Sequence, residues 1–169
     1  MNNENTVSIR LATADDTDNI VKWRNMPHVV NNFIMRTPLT RQMHEGWIES
    51  RIKTGKAVQF IIVADGSEIG SVYLRDIDHQ ENTAEFGIFI GEINALSKGY
   101  GTKAQKLILD YAFNELNLET VSLRVLSENK MAINSYKKNG FELIPGKVET
   151  EIIDGMPVEV IFMLVKKDK

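Results

Sequence analysis

Leu96-Ser97-Lys98-Gly99-Tyr100-Gly101-Thr102 decides how this chain reads. Upstream of it, Ala84, Phe86, Ile88 and Ile90 alternate with Glu85, Gly87 and Phe89, the period of a strand. Downstream, Ala104, Leu107, Ile108, Tyr111, Ala112 and Leu116 keep helical spacing. The segment is therefore a strand-to-helix turn carrying Gly99 and Gly101. The first N–H groups of such a helix have no intrahelical partner and lie at the positive end of its dipole, so the turn suits a phosphate group. Glycine lets the backbone approach the anion closely, and Lys98 adds a positive charge. On these residues alone a plain strand–helix turn remains open. Gly99-x-Gly101-x-x-Ala104 also matches the dinucleotide pattern, but three strands come before the one that feeds it and Arg124 stands where a ribose-binding acid belongs.

Working outward, residues 7–11 alternate as a strand. Thr13 is placed to cap a helix carrying Ile20 and Trp23 that stops before Pro27, and residues 28–38 read as a loop. Thr40 caps a second helix with Met43, Trp47, Ile48 and Ile52 on one stripe. Residues 59–64 and 68–74 form a hairpin around Asp65-Gly66, and 76–82 read as a loop. Val121, Leu123 and Val125 mark a strand, 129–139 a short helix before Gly140, and 142–153 with 158–165 a closing hairpin. The pattern predicts an α/β fold, a mixed and mostly antiparallel twisted sheet of about seven strands with helices on both faces.

The 169 residues suit a single domain over 1–169, with 1–6 and 166–169 expected to fray. The composition is 43% hydrophobic and 25% charged, which is globular. A net charge of −3 and no basic run longer than two residues speak against nucleic acid. The absence of cysteine removes disulfides, thiolate nucleophiles and cysteine-based zinc sites. Asp76, Asp78, His79 and Glu81 match no metal loop, so no metal is expected. No apolar run reaches the ~20 residues of a membrane span, and a cytoplasmic protein is expected.

A second signature lies at Asn129-Lys130-Met131-Ala132-Ile133-Asn134-Ser135-Tyr136-Lys137-Lys138-Asn139-Gly140-Phe141. With the glycine turn and the order of elements, it makes the chain resemble the GNAT superfamily of acetyl-CoA-dependent N-acetyltransferases. That family's phosphate loop reads Q/R-x-x-G-x-G/A, and Leu96 departs from its first position. The resemblance implies that the backbone of Ile88, Phe89 and Ile90 pairs with the pantetheine arm of acetyl-CoA. It implies that the amides of Lys98, Gly99, Tyr100, Gly101, Thr102 and Lys103 hold the pyrophosphate. It also implies that Asn129 hydrogen-bonds the pantetheine and that Tyr136 lies near the thioester sulfur.

An amine with pKa near 10 must lose a proton before it attacks a carbonyl, so a carboxylate is needed directly or through water. Glu85, opposite the apolar side of its strand, is the candidate base, with Glu81 and Glu92 behind it. A main-chain N–H on a bulged strand near Ile88 would serve the oxyanion, and Tyr136 would protonate the leaving thiolate. The bland readings are a core aromatic at Tyr136 and a solvated Glu85. Without cysteine, direct transfer is favoured over an acyl-enzyme.

The expected partner is a small-molecule amine, and a homodimer is compatible with the sequence. Residues 21–27, Val-Lys-Trp-Arg-Asn-Met-Pro, resemble enzymes that acetylate nucleotide-linked amino sugars. The later half is equally similar to acetyltransferases of polyamines and of ribosomal-protein N-termini. Trp23, Arg24, Asn25, His44 and Trp47 are the candidate acceptor contacts. From Arg24 to Arg41 there are three Arg and no Asp or Glu, which favours an anionic acceptor over a polycation. The rival of another class is a non-catalytic acyl-CoA-binding module.

Overall fold

The structure, a computed structural model, describes residues 6–169. Alternating apolar positions build the strands β1 (Val7–Leu11), β2 (Val58–Ala64), β3 (Ser67–Asp78), β4 (Thr83–Ile90), β5 (Thr120–Leu126), β6 (Glu142–Ile153) and β7 (Met156–Lys166). They form one seven-stranded sheet in the order β1-β2-β3-β4-β5-β7-β6. Every neighbouring pair is antiparallel except β4–β5, the pair joined by a helical crossover. The helices are α1 (Thr17–Arg24), α2 (Pro27–Val30), α3 (Arg41–Trp47), α4 (Tyr100–Asp110) and α5 (Lys130–Lys138).

Helices cover both faces because successive strand residues are buried on opposite sides. Phe60, Ile62, Val72, Leu74, Phe86 and Leu123 join Ala104 and Ile108 of α4 and Ile133 of α5 in the larger core. Ile61 and Phe89 point the other way, against Ile20 and Trp23 of α1 and Val29 of α2. Each such side chain, fully buried, contributes about 1.5–3 kcal/mol. Thr40 caps α3 as its position predicts, accepting from the Met43 amide at 3.1 Å.

Three local expectations change. Residues 28–38 are not all loop: Pro27 opens the one-turn helix α2, where its missing N–H costs nothing. β3 runs on to Asp78, past the loop expected from 76, and the Ile77 amide donates to the Lys56 carbonyl at 2.9 Å. The ends are held further out than expected. Thr6 donates its amide to Asp65 Oδ1 at 2.9 Å, and Lys166 closes β7 while the Lys167 amide donates to the Glu119 carbonyl at 2.8 Å. Fraying expected at 1–5 lies outside the described residues. No helix among them is long and apolar enough to cross a membrane.

Candidate active site

β4 and β5 pair over Thr83↔Thr120, Ala84↔Val121 and Glu85↔Ser122, and then part. β5 continues to Leu126 with β7, while β4 continues to Ile90 with β3 alone. Past Glu85 the β5 side of β4 is therefore an open edge, able to pair with an extended ligand. The register of β4 on β3 is continuous from Phe86 to Ile90, so the bulge expected near Ile88 is absent; divergence of β5, not a bulge, frees this edge. One group beside it is already engaged: His28 Nε2 donates to the Ile90 carbonyl at 2.9 Å.

At the end of β4 the chain enters α4. Ser97 takes φ 61° and Gly99 φ 81°, so the turn is left-handed at both, and Gly99 is the residue that takes this shape without strain. The helix's own bonding starts with the Lys103 amide donating to the Gly99 carbonyl at 3.3 Å. This places the Lys103 amide inside the helix and leaves the earlier ones for a ligand. Gly101 has no conformational need to be glycine. A Cβ built on it would meet only Ile90 Cδ1 at 3.5 Å and Ile88 Cδ1 at 3.9 Å, both ordinary contacts. The protein does not use this gap, which fits an anionic group seated over the turn. The Tyr100 ring is buried and its hydroxyl donates to Asp65 Oδ2 at 2.8 Å, tying the turn to the β2–β3 hairpin.

α5 supplies two more groups. Asn129 caps the helix, its Oδ1 accepting from the Ala132 amide at 3.3 Å, and its Nδ2 has no partner among the described residues. Tyr136 packs edge-on against Phe86 and Phe141, each with ring centroids 5.8 Å away. Its hydroxyl bonds to no described residue, and burial, then neighbouring Tyr73, raise its pKa above the ordinary phenol value. It remains a protonated donor at neutral pH.

On the opposite face Glu85 is not simply solvated. Its Oε1 accepts from Arg75 Nη2 at 2.7 Å and from Arg124 Nε at 3.2 Å, joining three adjacent strands. Oε2 has no protein partner among the described residues. The two arginines and Tyr73, which lies across from Gly87, escaped the sequence reading. The available signal was alternation: Tyr73 and Arg75 on β3 share the face of Glu85 on β4. The reserve bases are otherwise engaged, since Glu92 Oε1 accepts from Trp23 Nε1 at 2.8 Å and Glu81 lies exposed in a turn made by Asp78. No group of three or more His, Asp or Glu among the described residues could hold a metal.

The N-terminal candidates are largely engaged within the fold. Trp23 is 2% exposed and lies on Gly91, whose Cβ would stand 2.1 Å from the indole. Asn25 bonds both the amide and the carbonyl of Leu39. His44 is buried between Thr17 and Gln59. Trp47 stacks on His44 and meets Tyr73 edge-on. Arg24 donates Nη2 to the Met35 carbonyl at 2.6 Å and lies 3.7 Å over the Phe33 ring, while its Nη1 is buried without a partner. Burial lowers its pKa.

This geometry has known counterparts. The profile of the family described as Acetyltransferase (GNAT) domain matches residues 6–142. Spermidine N(1)-acetyltransferase of Escherichia coli is 36% identical over 107 residues, 63% of this chain and 57% of that protein. The chain thus matches little more than half the length of that relative. Acetyltransferase PseH of Campylobacter jejuni is 26% identical over 124 residues, 73% of this chain and 75% of that protein. The structure of spermidine N-acetyltransferase from Vibrio cholerae in complex with CoA and spermine has a TM-score of 0.86 at 25% identity, covering 95% of each chain. With the family profile spanning most of its length, a glycine turn opening α4 and a splayed β4–β5 pair, the chain belongs to the GNAT acetyltransferase family.

Proposed function

We propose that the chain is an N-acetyltransferase that moves an acetyl group from acetyl-CoA directly to a primary amine, and that the amine belongs to a nucleotide-linked amino sugar. Acetyl-CoA supplies the activated acetyl thioester. The Tyr100, Gly101 and Thr102 amides would hold its pyrophosphate at the start of α4. The open edge of β4 from Gly87 to Ile88 would hold the pantetheine arm, with Asn129 Nδ2 donating to it. Tyr136 would give its proton to the departing thiolate, and Glu85 Oε2, directly or through water, would take the proton of the amine. The fit is supported by the gap over Gly101 and by the unpartnered groups facing the split between β4 and β5.

The acceptor reading rests on one observation. On the face of Tyr73, two arginines meet one carboxylate: Arg75 Nη2 at 2.7 Å and Arg124 Nε at 3.2 Å both donate to Glu85 Oε1, an excess of cations. A polyamine would add cations to this excess, whereas a phosphate-bearing acceptor would reduce it. The likeness to spermidine acetyltransferases favours a polyamine as the second reading. A CoA-release assay comparing nucleotide-linked amino sugars, the free sugars, spermidine and N-terminal peptides separates them. The nucleotide sugar should show the highest kcat/KM. Spermidine turning over faster refutes the acceptor reading, and release with no acceptor tested refutes the enzyme reading in favour of an acyl-CoA-binding module.

A further inference from the structure

Gly87 is where the acceptor face of the sheet was left without a side chain, and a tyrosine tip fills that place. An ideal Cβ at Gly87 would stand 2.2 Å from Tyr73 Cζ, 2.4 Å from its Oη and 2.5 Å from its Cε2. The near atoms belong to the end of the ring, not its root. Tyr73 leaves β3 directly across from Gly87 and leans over β4, so its hydroxyl arrives at β4. That is two residues past the last β4–β5 pair, Glu85↔Ser122, where the edge has opened. Trp47 and Phe89 fix the ring from the sides, with centroids 6.1 Å and 6.4 Å away.

The hydroxyl has no hydrogen-bond partner among the described residues, yet it is not one of the buried polar atoms left unpaired. It therefore stays partly exposed beside β4. Tyr136 comes to the same split from the other face of the sheet, packed on Phe86, and its hydroxyl is also unpartnered. Two phenols thus flank β4 at neighbouring residues, Tyr136 on Phe86 from one face and Tyr73 on Gly87 from the other. Tyr73 is half-buried, and burial raises its pKa, so at neutral pH it is a neutral hydroxyl that can accept a hydrogen bond but does not act as a base.

We infer that Tyr73 is the acceptor-amine contact: its Oη accepts a hydrogen bond from an N–H of the incoming neutral amine and aims the nitrogen lone pair at the acetyl group held along β4. Gly87 is the residue that makes room for it. This inference rests on the acetyltransferase reading above. It assigns to the acceptor face a hydrogen-bond acceptor for the amine that Asn25, His44 and Arg24 do not offer, since Asn25 and His44 are bonded within the fold and the open Nη1 of Arg24 can only donate.

The test uses the full chain with the best acceptor found in the CoA-release assay. Tyr73→Phe keeps the ring and removes the hydroxyl. The acceptor kcat/KM should fall about 10-fold or more, within the span of one lost hydrogen bond in a site built for it, while the acetyl-CoA Kd by calorimetry and the Tm stay at wild-type values. Gly87→Ala gives an independent route, because its methyl must displace the ring tip. It should cause a similar loss, and the double variant should lose no more than Gly87→Ala alone. Wild-type acceptor kcat/KM in Tyr73→Phe overturns the inference, as does a loss in Tyr73→Phe matched by an equal loss of acetyl-CoA affinity. Additive losses in the double variant also overturn it. A wild-type chain that binds acetyl-CoA but acetylates nothing would instead overturn the acetyltransferase reading.

Discussion

Gly101→Ala separates a glycine kept for the fold from one kept for a ligand. The built Cβ meets nothing nearer than 3.5 Å, so the apo protein accepts the methyl without rearrangement. Gly101 lies in the first turn of α4, where alanine is the better helix former by up to about 1 kcal/mol. For a chain of this size that corresponds to an apo Tm unchanged or raised by up to about 4 °C. Binding should move the opposite way. A methyl that holds a pyrophosphate off the turn removes one charge-assisted contact of about 1.5–3 kcal/mol, or about 10- to 150-fold in Kd. At an acetyl-CoA concentration of 100 times the wild-type Kd, the wild type gains about 2.7 kcal/mol, and a variant weakened 100-fold gains only about 0.4 kcal/mol. Thermal melts with and without acetyl-CoA, and with NAD as the control, read both quantities in one experiment. An alanine variant that keeps the full acetyl-CoA shift would show that nothing binds over Gly101.

Two further variants address the proton transfers. Tyr136→Phe should lower kcat by about 10²-fold and leave the acetyl-CoA Kd alone. Because the phenol's pKa is raised, kcat should show no alkaline fall attributable to Tyr136 below about pH 10, and a fall there that Tyr136→Phe abolishes would contradict the environment described. Glu85→Gln retains an oxygen for Arg75 but takes no proton, so the acidic limb of kcat/KM should vanish while the acceptor KM changes little. An unchanged profile would move the role to a water chain.

What the sequence made legible was local. The glycine turn before α4 and the run from Asn129 to Phe141 each lie within a few consecutive residues, so their resemblance to the family's motifs can be read without the fold. The mixed, mostly antiparallel character of the sheet followed from hairpins combined with helices that join strands. The contacts that were missed depend on register between segments distant in sequence. Arg75, Glu85 and Arg124 meet only because β3, β4 and β5 are neighbours in that order. A glycine inside a strand can mark a bulge or the close approach of a backbone or ligand, and at Gly87 a side chain from the next strand fills the place.

The same limit applies to the N-terminal candidates. Residue type shows that Asn25 or His44 can form hydrogen bonds, and only the fold shows that those bonds are already made, to Leu39 and to Thr17 and Gln59. A buried polar group that stays inside a fold is normally satisfied there. The informative groups are consequently those the fold leaves open. Tyr136 Oη, Tyr73 Oη, Asn129 Nδ2 and Glu85 Oε2 have no partner among the described residues, and they come from α5, β3, the α5 cap and β4. Tyr73 and Glu85 border the place where β4 leaves β5, and Tyr136 reaches it through Phe86. Donors and acceptors kept open where β4 leaves β5 are what the proposed acetyl transfer needs and what a module that only binds acyl-CoA does not, because binding alone has no use for a group that takes a proton.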